Sequence, residues 1–150
     1  PSPACMAVES PVPEAAVLRC VPHRAPILRV ERVLAVEPGV ASVAGREPTG
    51  PGSLPWAMGA IEGIAQGAAV LLGHMMDPGA LDRVGKAAAQ GATAGMLVAV
   101  KRCVVSGEPA PGAEIVYRVE LVRRFGPTAL LRGVASSGGR ELARAEITLW

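Results

Sequence analysis

The sequence predicts an α+β domain in which an antiparallel sheet wraps one long buried helix. Three observations lead there. A single long apolar run covers residues 54–76, and segments of strand-like alternation flank it on both sides. Half the residues are hydrophobic but only 3% are aromatic, so the core must be built from Ala, Val, Leu and Ile. At 150 residues the chain is long enough for one domain with a real core.

The helix is the element the rest is arranged around. Pro55 suits a first helical turn, where its missing N–H costs nothing, and Asp77-Pro78-Gly79 is a natural stop. Nearly every side is apolar, which marks a buried helix, yet Glu62 and Gln66 lie within it and share one face. Gly59, Gly63 and Gly67 form a second, smooth stripe. Each costs about 1 kcal/mol of helix propensity against alanine, so the stripe is expected to admit a close neighbour, most naturally the sheet. The run approaches the length of a membrane span and its glycine spacing resembles a transmembrane pairing pattern. Glu62, Gln66 and the lack of a basic flank argue for a soluble protein instead.

The other elements follow in order. Residues 1–15, rich in Pro and Ser, read as a flexible N-terminal arm, and residues 16–150 as the folded domain. Residues 15–19 suit a short helical turn, and the prolines of VPHRAPIL hold the chain extended. Strands are predicted over 28–36 and 41–46, joined by the turn Glu37-Pro38-Gly39-Val40. EPTGPGS, residues 47–53, is a loop feeding the helix. Beyond the helix, residues 81–90 suit a short helical piece, and 95–105 a long strand. EIVYRVELVRR, residues 114–124, alternates with period two. Strands over 129–135 and 141–150 flank the turn Ser137-Gly138-Gly139. Two strands, a long apolar helix and then antiparallel strands make the hotdog fold.

Composition narrows the function. Four aromatics are too few for stacking platforms, and a formal charge of +2 does not suggest a polyanion binder, so nucleic acid is not an expected partner. Cys5, Cys20 and Cys103 have no paired or metal-like spacing, and His23 and His74 are the only histidines. No metal or redox cofactor is indicated, and a reducing, cytoplasmic compartment is expected. Cys103 reads as a small core residue. His74, twelve residues past Glu62 or about 18 Å along a helix, reads as structural.

The segment from Val21 to Leu34, VPHRAPILRVERVL, resembles the opening of the β-hydroxyacyl-acyl carrier protein dehydratases. Ile61-Glu62-Gly63-Ile64-Ala65-Gln66 resembles that family's IE-x-x-AQ on the central helix, and Gly139 to Glu146 its last hairpin. The likeness runs in order from Val21 to the C-terminus and is nearest to a divergent branch linked to polyene-type acyl pathways. It implies a dimeric hydro-lyase acting on 3-hydroxyacyl thioesters of an acyl carrier protein or coenzyme A. The dimer would pair like chains or two different hotdog chains. In that family a loop histidine removes the α-proton while the helix carboxylate, here Glu62, helps the 3-hydroxyl leave.

The corresponding loop here, Pro48 to Gly52, reads PTGPG and has no histidine. His23 is the candidate replacement base, and Pro22, Trp56, Gly59, Gln66 and Gly95 are the candidates for substrate binding. Gln66 also suits a hydrogen-bond partner. Lys101, Arg102, Arg123, Arg124 and Arg132 read as a solvated strand face able to meet an acidic carrier. Two alternatives remain open at this point: a hotdog thioesterase using the helix carboxylate, and a non-catalytic subunit paired with an active dehydratase chain.

Overall fold

A computed structural model describes residues 28–76 and 97–150. The N-terminal arm, the turn at 15–19, the helical piece at 81–90, His23, Pro22 and Gly95 lie outside the described residues. Within them the chain forms β1 (Arg32–Glu37), β2 (Val40–Arg46), α1 (Trp56–Met76), β3 (Leu97–Val105), β4 (Glu114–Phe125), β5 (Thr128–Ser137) and β6 (Arg140–Leu149). The six strands make one antiparallel sheet in the order β1-β2-β4-β5-β6-β3. It is the hotdog architecture expected from the pattern.

The element boundaries have local causes. Gly138 and Gly139 close the β5–β6 hairpin with φ of 58° and 78°, the left-handed pair that a two-residue turn between twisted strands requires. The first strand starts later than its alternation suggests, at Arg32. Although Glu31 N–H still donates to Ala44 O, the Arg29 N–H is taken by a helix side chain, Gln66, so regular pairing cannot extend back to residue 28.

Helix and sheet fit by exchanging large for small. On α1, a Cβ at Gly63 would overlap the Tyr117 ring on β4, and one at Gly67 would crowd Val43 and Val119 on β2 and β4. On β5 the relation is reversed: Gly133 leaves the space that Ile64 of the helix fills. Of the stripe of three, Gly63 and Gly67 therefore do face the sheet, and Gly59 faces the guanidinium of Arg29. Ile64 and Leu71 bury completely with Ile115, Leu131 and Ile147, each contributing on the order of 1.5–3 kcal/mol. By length and hydropathy α1 could cross a bilayer, but 56% of that span is buried inside the domain.

One sequence expectation is corrected here. Cys103 is exposed rather than in the core. β3 is an edge strand, and its pairing with β6 shifts register between Lys101 and Val104, where Arg102 has φ 52°. That irregularity resets the alternation on which the expectation rested. Lys101, Arg102, Arg123, Arg124 and Arg132 do lie on a solvated face.

Candidate active site

The site is assembled where the segment before β1, the loop before the helix and the first half of α1 meet. Gln66 is fully buried, and its Oε1 accepts the Arg29 N–H at 2.7 Å and the Val30 N–H at 3.4 Å. It is thus the hydrogen-bond partner its sequence context suggested. Residues 29–30 cross the helix at that point, and Glu62 lies one turn, or about 6 Å of rise, N-terminal to it. Glu62 is half-buried, with Oε2 out of contact with solvent.

Arg29 was not singled out by the sequence. Its side chain is 2% exposed, and it donates to Glu47 through Nη1 at 2.6 Å and Nη2 at 3.3 Å. Glu47 opens the loop that feeds the helix, so this two-pronged ion pair fastens the loop to the segment before β1. Burial alone would lower the Arg29 pKa, but the Glu47 carboxylate and the Tyr117 hydroxyl outweigh it and raise the group above its ordinary value. Gly59, three residues before Glu62, leaves room for the guanidinium; Gly63, one residue after it, leaves room for the Tyr117 ring. The glycines on either side of Glu62 are therefore the floor of a buried Arg29–Glu47–Tyr117 cluster.

Tyr117 is 1% exposed, and burial pushes its pKa up to about 12, against the opposing pull of the Arg29 guanidinium. It is a neutral hydroxyl at physiological pH and cannot serve as a base. Because the folded value lies above the unfolded value of about 10, this group's contribution to stability is complete below pH 10 and is lost as pH rises toward 12. Tyr117 is the only tyrosine, so phenolate absorbance reads it directly. In the folded protein that absorbance should stay absent through pH 10.5, and in denaturant it should appear around pH 10. Coincident titration curves in the two states would refute the burial argument.

Trp56 begins the helix at 8% exposure, and its Nε1 is buried with no acceptor among the described residues. It lines an open cleft of about 310 Å³ at the helix N-terminus, together with Glu47, Pro48, Glu108, Pro109 and Pro111. The first intrahelical bond runs from Gly59 N–H to Pro55 O, and no acidic residue occupies the first turn, so the carboxylates nearest the positive end of the helix are those of the cleft lining, Glu47 and Glu108. His74 Nδ1 is also buried without a partner among the described residues. No group of three His, Cys, Asp or Glu residues among them could hold a metal ion.

Of the sequence candidates, the structure brings Glu62, Gln66, Gly59 and Trp56 onto the first half of α1. The residues missed were Arg29, Glu47 and Tyr117. Tyr117 was legible as an inward position of the alternating β4. Arg29 was not, because polar residues at 29 and 31 read as an outward face.

The helix and the sheet around it define a protein of hotdog architecture. No protein-family model matches the sequence. The chain is 30% identical over 146 residues to the 3-hydroxyacyl-(acyl-carrier-protein) dehydratase FabZ of Clostridium acetobutylicum, covering 88% of this chain and 92% of that one. The Anaeromyxobacter FabZ is 30% identical over 142 residues, covering 87% and 84%. Among solved structures, the dehydratase heterocomplex ApeI:P of Xenorhabdus doucetiae matches with TM-score 0.69 and 19% identity over 89% of each chain. A Streptococcus pneumoniae hypothetical thioesterase crystallised with coenzyme A matches with TM-score 0.52 and 12% identity, over 78% of this chain and 81% of that one. The chain belongs to the FabZ family of 3-hydroxyacyl-(acyl-carrier-protein) dehydratases.

Proposed function

We propose that this protein dehydrates a 3-hydroxyacyl thioester to the 2,3-enoyl thioester and water, with Glu62 as the acid that protonates the departing 3-hydroxyl. The observation that carries this reading is the position of Glu62. It is the half-buried carboxylate on the central helix, one turn from the point where Gln66 holds the segment before β1. The N-terminus of α1, whose first turn carries no acidic residue, supports polarisation of the thioester carbonyl by backbone N–H groups.

The base that removes the α-proton is His23 in this proposal. It stands six positions before Arg29, whose N–H is anchored at Gln66. An extended chain of that length reaches about 20 Å, enough to bring the imidazole to Glu62. Pro22 and Gly95 stay with it as candidate substrate contacts. The carrier is an acyl carrier protein or coenzyme A, and the exposed basic residues of β3, β4 and β5 support an acidic carrier.

A second reading is favoured by the loop itself, which carries no histidine. In this reading the chain is the silent half of a heterodimer with another hotdog chain. Edge strand β3 supports either kind of dimer: it exposes Val98, Val100, Val104 and Val105, and an open edge with apolar side chains favours pairing with a further strand. The cysteine pattern supports a cytoplasmic location.

Mass spectrometry of a 3-hydroxyacyl carrier-protein substrate incubated with the purified chain tests both readings. Loss of one water with this chain alone supports the first. Loss of water only after a second hotdog chain is added supports the silent partner, and release of free acid would mean a thioesterase.

A further inference from the structure

Among the described residues, Arg29 is the one charged side chain in the core, and neither the acid nor the carrier contacts use it. It meets α1 at two points. Its backbone N–H donates to Gln66, four residues after Glu62. Its guanidinium lies against the helix at Gly59, three residues before Glu62, where a Cβ would overlap Nη2. The two points are about 10 Å apart along the helix axis, and the turn that carries Glu62 lies between them. Gly63, next to Glu62, packs against the Tyr117 ring, whose hydroxyl accepts from the same guanidinium.

The guanidinium cannot turn freely. Glu47 takes two of its N–H groups, and Tyr117 holds it from the sheet. The place of Arg29 is thus set by β4 and the loop, and passed to the helix on both sides of Glu62. Stability alone does not account for the arrangement. An apolar side chain of similar size commonly serves a core as well as a buried ion pair does, and Gly59 gives up helix propensity to admit the fork. What an ion pair adds is direction, because a planar fork fits one orientation only.

We propose that Arg29 is a positioning residue for Glu62, holding the helical turn from residue 59 to 66 in the register at which the carboxyl group meets the departing 3-hydroxyl. This rests on the acid role of Glu62 given above and deepens it. Displacing a reacting group by about 1 Å costs roughly 10²-fold in rate, so a loosened turn should show in kcat.

The test compares the wild-type chain with Arg29→Met combined with Glu47→Gln, which removes the pair without leaving a lone buried charge. With a 3-hydroxyacyl carrier-protein substrate, kcat should fall about ten- to hundredfold while KM stays within about twofold. The melting temperature should stay near that of the wild type. Amide hydrogen exchange reads the same turn without turnover: at residues 62–66 it should quicken about tenfold, with the β5–β6 ladder unchanged. Wild-type kcat in the folded double variant overturns the proposal, and so does unchanged exchange at 62–66. Should the double variant melt far below the wild type, Arg29→Lys decides. Lysine keeps the charge against Glu47 but not the fork over Gly59, so kcat should still fall at constant KM and exchange at 62–66 should still quicken; wild-type values for either overturn the proposal. If the wild-type chain forms no enoyl product, the acid role of Glu62 fails, and the exchange result still decides whether Arg29 holds the turn.

Discussion

Glu62→Gln should lower the rate of dehydration by about 10²–10⁴-fold, the usual worth of a positioned acid or base, with KM little altered. Glutamine keeps the volume and the hydrogen-bonding capacity of the side chain but cannot deliver a proton to the departing hydroxyl. Its helix propensity equals that of glutamate, so the melting temperature should hardly move. Steady-state assay of enoyl product, beside a thermal melt, separates chemistry from folding. An equal loss of activity and stability would make Glu62 a packing residue. Full activity in the variant would end its role as the acid.

Glu47→Ala should cost about 3–5 kcal/mol of stability, because it leaves the buried Arg29 guanidinium without its carboxylate. For a domain of this size each kcal/mol corresponds to roughly 2–4 °C, so the melting temperature should fall by about 10 °C. Removing both charges is a different matter. Arg29→Met combined with Glu47→Gln takes away the charge together with its counter-charge, and should recover most of the loss, since a buried pair rarely outweighs well-packed neutral replacements by much. Urea unfolding of the three variants measures this directly. If the double variant were as unstable as Glu47→Ala, the cost would lie in the loop's geometry and not in an uncompensated charge.

The same pair has a consequence for the site. Glu47 begins the loop that runs to Trp56, and Arg29 is tied to Gln66 through its backbone. Loosening the pair therefore frees the loop that forms one wall of the cleft and the segment that follows His23.

Much of the fold could be read directly from residue order. A long apolar run with a proline at its start can bury itself only at the centre of the domain, and period-two alternation in residues 114–124 can only be a strand with one wet face. Glu62 and Gln66 were legible for the same reason, since polar groups inside such a run must be accommodated specifically. These are local signals, carried by spacing along one element.

Tertiary structure decided what depends on residues distant in sequence. Arg29, Glu47 and Tyr117 come from three separate segments, and no period within any of them marks their meeting. Arg29 sits beside Glu31 in what reads as an outward face, yet its N–H is claimed by a side chain 37 residues away, so the strand begins later and its guanidinium turns inward. Cys103 shows the converse: its apolar neighbours suggested the core, but an edge position and a bulge turned it outward. Periodicity along the chain reports which elements form. Only the packing of the helix against the sheet, with glycines at 59 and 63 making the space, determines which charge is buried.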